Sequence, residues 1–479
     1  MILGTLAVAS GPPVIIQGGM GAGVSNWKLA RAVSLRGQLG VVSGTVIDTT
    51  FVRRLQDGDI GGHLRRAMAH FPIPAVAEAA LKRYFHPNGR EPGVPYKLLP
   101  MYKQVVSAAR QQVTMLASFV EVWLAKEGHQ NPVGINLLTK VQLPNLPTLY
   151  GAMLAGVEVV LMGAGIPREI PGALDALAIH QPAVIRFDVE GAGEPEYLTF
   201  DPGDYGTSGV PVVRPKFYPI VSANSLAATL ARKANGRVDG FVIEGPTAGG
   251  HNAPPRGEMK LSDTGEPVYG ERDVVDLAKM RELGLPFWLA GGAGSPEALR
   301  TALDAGAAGI QVGTLFAFTS ESGLAPEIKE SVLTGVNAGA VSVHTDPRAS
   351  PTGYPFKLVQ MAAGDYQSPT RARVCDLGYL RTAYRKPEGG IGYRCPAEPV
   401  DAYVAKGGTV EDTVGRRCLC NALTADIGLA QARPEGVDEK PLLTSGDDLA
   451  RMAGFLGGRT CYAADDVLDY LLGCGGTAA

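Results

Sequence analysis

The chain has 479 residues, 62 of them glycine and 35 proline, with 45% apolar and 19% charged residues. That is ample material for a buried core and excludes disorder over most of the length. The net charge of −3, from 44 basic and 47 acidic residues, leaves no stripe for nucleic acid and no polybasic membrane patch.

No apolar run approaches the roughly 18 residues that a membrane span needs. The N-terminal MILGTLAVASGPP lacks the basic start of a secretory signal. Six cysteines are too few for a disulfide scaffold. The expectation is a cytoplasmic protein without nucleic-acid or membrane partners.

From residue 13 onward, short apolar runs alternate with helical patterns. Val14–Gln17, Leu39–Ser43, Val133–Leu138, Glu158–Met162, Phe217–Ser222, Gly240–Glu244, Pro286–Ala290 and Gly309–Val312 each read as a buried strand. Such continuous runs are what parallel strands covered on both faces require. Eight βα units predict an α/β fold, a closed (β/α)8 TIM barrel, with Ala183–Val189 as a ninth strand candidate. Ser295 reads as an N-cap, Pro296 as the first helical residue and Gly306 as the stop before the last strand.

Two insertions interrupt the rhythm. Residues 50–130 read as a helical insertion after strand two, with Pro87–Pro100 as a turn region and Met101–Lys126 as a long helix. Residues 183–215 read as a hairpin, AVIRFDV and EYLTF around GAGEP. The barrel domain is thus expected over 1–345. Residues 346–479 read as a mostly irregular appendage packed on it, ending in helices Asp447–Phe455 and Ala463–Leu472. SPTGYPFK, Ser350–Lys357, could fold over the barrel mouth, but its prolines and Gly353 favour a rigid surface turn.

Three glycine-rich strand ends could carry chemistry. QGGMGAGVSN, Gln17–Asn26, follows the first strand but lacks the spacing and the acid of a dinucleotide fingerprint. A flat ligand against the backbone and a plain tight turn both satisfy it. AGGAGS, Ala290–Ser295, and QVGT, Gln311–Thr314, end strands seven and eight, where barrels bind phosphate on open amides and a helix N-terminus. IEGPTAGGHNAPPRG, Ile243–Gly257, places His251 behind two glycines after strand six. There an imidazole can take a proton or hydrogen-bond a substrate oxygen. Asn136 is a polar residue in a buried run aimed at the same face. Cys418 and Cys420, with Cys395 upstream and Cys461 and Cys474 downstream, lack a zinc spacing and read as buried reduced thiols, with no metal expected.

PVIIQGGMGAGVS, GINLL, EGPTAGGH, PFWLAGGAG and GIQVGTLF occur in this order over residues 13 to about 345. This series resembles the nitronate monooxygenase (2-nitropropane dioxygenase-like) family of FMN-dependent barrels, which also includes FMN-dependent enoyl-acyl-carrier-protein reductases. The resemblance implies FMN as cofactor. It implies cofactor contacts at Gly18, Gly19, Met20, Asn136, Glu244, Gly250, Gly291, Gly292, Gln311, Gly313 and Thr314, and His251 as the catalytic histidine.

Two departures stand out. QGGMG replaces an alanine-proline before the methionine, and GGHNAPPRG moves Arg256 and Gly257 downstream of their place in G-G-H-R-G. The implied activity is oxidation of alkyl nitronates with O2 to carbonyl compounds and nitrite. The alternatives are an NAD(P)H-dependent enoyl-thioester (enoyl-ACP) reductase, of which trans-acting forms in fatty-acid or polyketide synthesis are one kind, and a non-catalytic flavin-binding partner of a biosynthetic complex. The partners implied are a nitronate or enoyl thioester and O2, with a homo-oligomer left open.

Overall fold

Eight parallel strands follow one another around a ring: β1 (Ile15–Gln17), β2 (Gly40–Ser43), β3 (Val133–Leu138), β4 (Val159–Gly163), β5 (Lys216–Val221), β6 (Phe241–Glu244), β7 (Phe287–Ala290) and β8 (Gly309–Val312). Each pairs with the next, and β8 returns to β1 with Ile15 opposite Ile310. β1 and β2 are joined at Leu39, whose amide donates to Ile15 O (3.1 Å) and whose carbonyl accepts from Gln17 N (2.9 Å). The computed structural model describes residues 11–361, 371–433 and 438–473. The N-terminal residues 1–10 and Cys474 lie outside that range. Among the described residues no helix is long and apolar enough to cross a membrane.

The apolar runs work because alternate residues serve two cores. In β7, Trp288 and Ala290 face the barrel interior with Ile16, Val41, Leu161, Tyr218 and Val242, while Phe287 belongs to the larger core under the helices. Trp288 fills the lower barrel against Tyr218, with ring centroids 4.8 Å apart, and its Nε1 donates to Pro13 O at 2.7 Å. Two residues further up, the small Ala290 is paired with Glu244 on one side and Gln311 on the other. The barrel is plugged at its base and open at the C-terminal ends of its strands.

The insertion after β2 folds as helices Ile47–Gln56, His63–Met68, Pro74–Tyr84 and Ala108–Lys126. The last starts at Ala108 and not at Met101, because the Ser107 hydroxyl caps it by accepting from Arg110 N. Tyr102 instead lies buried across the helix, its OH 2.6 Å from Thr114 Oγ1. Ala183–Phe187 pairs antiparallel with Glu196–Phe200, so this segment is a hairpin and no ninth barrel strand. Ser295 caps helix Pro296–Asp304 through Ala298 N, as its sequence predicts.

Beyond β8 the chain is more ordered than its sequence suggests. Val341–Asp346 pairs with Phe356–Met361, and Thr382–Arg385 with Ile391–Arg394. Asp447–Phe455 is a 3-10 turn, Asp447–Arg451, followed by a short helix, Ala453–Leu456. The final helix, Ala464–Leu472, is fastened to the first barrel helix by Arg36, which reaches Asp465 (3.0 Å) and Asp469 (2.6 Å).

Candidate functional site

A cavity of about 230 Å³ lies at the C-terminal ends of the strands. It brings together every residue singled out for binding or catalysis: Gly18, Gly19 and Met20 after β1, Asn136 in β3, Glu244, Gly250 and His251 at and after β6, Gly291 and Gly292 after β7, and Gln311, Gly313 and Thr314 at β8.

The β1 end is shaped by close approach. A Cβ on Gly19 would stand 2.3 Å from Asn136 Cβ, so only glycine lets the loop reach β3, where Asn136 Nδ2 donates to Gly19 O at 2.8 Å. Ser25 holds the turn, accepting from Met20 N and donating to Gly18 O, both at 2.8 Å. Two buried carboxamide oxygens, Asn136 Oδ1 and Gln311 Oε1, have no hydrogen-bond partner among the described residues. Such atoms are costly to leave unpaired and mark where a ligand donor belongs.

At the opposite end Gly291 and Gly292 adopt left-handed backbone, φ 87° and 67°, and lead into the helix capped by Ser295. The N-terminus of this nine-residue helix is a favourable place for an anion. Here the appendage intrudes. Gly446 N donates to Thr314 Oγ1 (3.1 Å), and Gly294 N donates to Asp448 Oδ2 (3.1 Å). Burial pushes the Asp448 carboxyl above its ordinary value.

His251 is held from both sides. Its Nε2 lies 2.7 Å from Ser350 Oγ, and its ring packs edge-on against Phe356 with centroids 4.8 Å apart. The backbone of His251 bridges to Phe356, and Lys357 N donates to Gly250 O at 3.0 Å. Ser350–Lys357 therefore folds over the barrel mouth and is no surface turn: Ser350 and Phe356 are buried. The hydrophobic gain of seating Phe356 outweighs the exposure that two prolines and a glycine suggest. Burial lowers the imidazole to about 4. Among the described residues Glu244 has no hydrogen bond or ion pair, and burial raises its carboxyl to about 8. At pH 7 both groups are therefore mostly neutral.

Ser350 and Phe356, from the segment whose prolines favour a surface turn, and Thr444–Asp448, which the sequence does not single out for the site, line or support the cavity. The available signal for the last was LLTSG, an apolar run ending in small residues like the barrel strand ends. Among the described residues the five cysteines are unbridged, and no group of three or more His, Cys, Asp or Glu side chains could hold a metal ion. Of the thiols expected to be buried, Cys395 is buried, Cys418 and Cys420 are half-buried, and Cys461 is exposed because it lies in the turn before the last helix.

Residues 215–348 match the family model of nitronate monooxygenase. The matched stretch runs from β5 through β8 and contains EGPTAGGH, PFWLAGGAG and GIQVGTLF, three of the motifs that carry the resemblance. No curated protein matches the chain. Similar solved structures include FabK from Thermotoga maritima, with 15% identity, a TM-score of 0.45 and coverage of 97% of this chain and 93% of that one. Nitroalkane oxidase from Streptomyces ansochromogenes has 17% identity, a TM-score of 0.44 and coverage of 96% and 95%. The enoyl reductase domain of MlnA from the macrolactin biosynthesis cluster of Bacillus amyloliquefaciens has 13% identity, a TM-score of 0.37 and coverage of 72% and 63%. These three likenesses are too distant to carry an argument about chemistry.

Proposed function

We propose that the protein is an FMN-dependent oxidoreductase that oxidises alkyl nitronates with O2 to carbonyl compounds and nitrite. The observation that carries the reading is the content of one cavity: a glycine cradle at a helix N-terminus, two unpaired carboxamide oxygens and a half-buried histidine. The residues fit the flavin phosphate at Gly291, Gly292, Gly313 and Thr314, where open amides and a hydroxyl suffice without a lysine. The oxygens of Asn136 and Gln311 fit ring N–H groups. When bound, FMN supplies electron exchange with the substrate and O2.

The protein's own part is orientation. A neutral imidazole with so low an affinity for protons is a weak base, so His251 positions a substrate that arrives already as the nitronate anion. Ser350 fixes which ring nitrogen faces the cavity. Glu244, mostly protonated at pH 7, donates a hydrogen bond to an oxygen placed beside it. Phe356 and Tyr354 narrow access to the imidazole.

The same protonated Glu244 favours a second reading, an NAD(P)H-dependent enoyl-thioester reductase, because a reduced enoyl group needs a proton donor. The absorption spectrum of the purified protein, then anaerobic mixing with NADPH, separates the readings. A flavin spectrum, no bleaching by NADPH and nitrite release from alkyl nitronates under air are expected. Rapid bleaching supports the reductase. Flavin without turnover of either substrate supports a non-catalytic partner, and a colourless protein that cannot be reconstituted removes all three.

A further inference from the structure

Residues 442–448 of the appendage lie against the glycine-lined end of the cavity and are fastened at almost every position. Leu442 N donates to Asp426 Oδ1 (2.8 Å), Leu443 O accepts from Val359 N (3.0 Å), and Thr444 Oγ1 accepts from Gly250 N (3.0 Å). Gly446 N donates to Thr314 Oγ1 (3.1 Å) and Asp447 N to Thr247 O (3.0 Å), while the Asp447 carboxylate takes Lys357 Nζ (2.7 Å). Facing glycines let the two backbones touch. A Cβ on Gly249 would stand 2.7 Å from Gly446 N, and one on Gly446 would stand 2.9 Å from Thr314 Oγ1. The segment is therefore built into the cavity wall.

Ser445, in the middle of this segment, is the exception. It is only 5% exposed and lines the cavity, yet among the described residues its amide donates to nothing. Its hydroxyl has one contact, Thr314 Oγ1 at 3.5 Å, the outer limit of a hydrogen bond. The barrel side shows the same pattern. The amides of Gly291, Gly292, Gly313 and Thr314 also donate to nothing among the described residues, and all four residues line the same cavity. A further barrel amide, Gly294 N, is taken by Asp448. Unpaired donors are costly to bury, so this set marks the place of a ligand rich in acceptors.

We propose that Ser445 is a cofactor-binding residue, its amide and hydroxyl joining the barrel amides on the phosphate of FMN. A phosphate dianion has terminal oxygens that only accept, so it is the part of the cofactor that takes so many donors. Ser445 stands in for the donor that Gly294 gives to Asp448. The inference rests on the FMN reading and goes beyond it in one respect. Ser445 lies outside residues 215–348, which match the family model, so the appendage is part of the cofactor site and not a separate module. By linkage, a phosphate bound there also fastens residues 442–448 to the barrel.

The test is titration of the flavin-free full chain with FMN and with riboflavin, which lacks the phosphate, followed by quenching of flavin fluorescence. The parent is expected to bind FMN at least about tenfold more tightly than riboflavin. Ser445→Ala is expected to weaken FMN about tenfold and Ser445→Asp about a hundredfold. Both should bind riboflavin as the parent does, which also shows that they are folded. Hydrogen exchange of peptides covering residues 442–448 is expected to slow with FMN more than with riboflavin. A parent that prefers FMN, with variants at parental FMN affinity or equally weakened for riboflavin, overturns the role of Ser445 and keeps the FMN reading. Exchange that FMN does not slow does the same. A parent that binds the two flavins equally overturns the phosphate site as a whole, and one that binds neither removes the FMN reading with it.

Discussion

His251 Nε2 and Ser350 Oγ stand 2.7 Å apart across 99 residues of chain. The serine is fully buried and also lies 2.8 Å from Thr352 Oγ1, so the hydroxyl is itself oriented. If His251 positions substrate through its ring, loss of this contact frees the ring to turn without touching the cofactor cradle. Ser350→Ala is expected to lower turnover about tenfold, some 1.4 kcal/mol in the barrier. His251→Ala is expected to abolish turnover. Flavin absorbance per mole of protein should match the parent in both. Loss of flavin from Ser350→Ala would show that the segment Ser350–Lys357 holds cofactor and not the histidine.

Gly19 is the position where a single methyl group should remove the cofactor. Its Cβ would meet Asn136 Cβ at 2.3 Å and Val41 Cγ1 at 2.9 Å, and both neighbours belong to packed barrel strands. Gly19→Ala must push the β1 loop away from β3 and break the Asn136–Gly19 bond. The expected outcome is a folded but colourless protein, read as flavin content after purification. Gly37→Ala serves as the control, because a Cβ there meets nothing within 4 Å, although its positive φ adds a small strain of its own.

The barrel strands were legible for a local reason. A strand such as FWLA buries both faces, and its glycine-bounded apolar run shows this in four residues. The Ser295 cap and the convergence of strand-end glycines on one face were legible in the same way. Ser350, Phe356 and Asp448 carry no such local mark. What makes them part of the site is contact with His251 and Gly294, and no period or spacing encodes a contact across 99 or 154 residues. The start of helix Ala108–Lys126 failed similarly, since the burial of Tyr102 is a tertiary fact.

Stability should respond to pH in a way that separates His251 from Glu244. An imidazole lowered from 6.5 to about 4 contributes stability present above pH 6.5 and lost as pH falls towards 4. A carboxyl raised from 4.5 to about 8 contributes stability present below pH 4.5 and lost as pH rises towards 8. Between 4.5 and 6.5 the two slopes oppose each other, which leaves a decline between 6.5 and 8. Glu244→Gln is expected to remove that decline and expose a rise between 4.5 and 6.5. His251→Asn is expected to start the decline near 4.5. Tm measured against pH for the three proteins decides it, and parallel curves would falsify both assignments.

Asp448 occupies the Gly294 amide that an incoming phosphate would use. A carboxylate there repels the phosphate and competes for its donor, so the charge should weaken cofactor binding more as pH rises. Asp448→Asn keeps the shape and removes the charge. Its FMN affinity is expected to be roughly tenfold tighter, about 1.4 kcal/mol. The gain should be largest at alkaline pH. Quenching of flavin fluorescence on titration measures it, and weaker binding would mean that the acid supports the phosphate by donating a proton to it.

Helices Ile47–Gln56 and Ala108–Lys126 are tied together by a buried ion pair whose removal should be strongly non-additive. Asp48 and Arg110 are 1% and 3% exposed, with Arg110 Nη1 2.7 Å from Asp48 Oδ2. Thr114 Oγ1 donates to the same oxygen at 2.8 Å, and Tyr379 OH from the appendage donates to the other. Tyr379 also lies 2.8 Å from Thr49 Oγ1, so helices Ile47–Gln56 and Ala108–Lys126 and the appendage meet at one carboxylate. Each single change, Asp48→Leu or Arg110→Met, strands a buried charge and is expected to cost about 3–5 kcal/mol. The double variant leaves no charge behind and is expected to recover most of that loss, because desolvating the pair offsets much of its attraction. Urea unfolding followed by circular dichroism measures all four proteins, and single losses that simply add in the double variant would show that the two charges act independently.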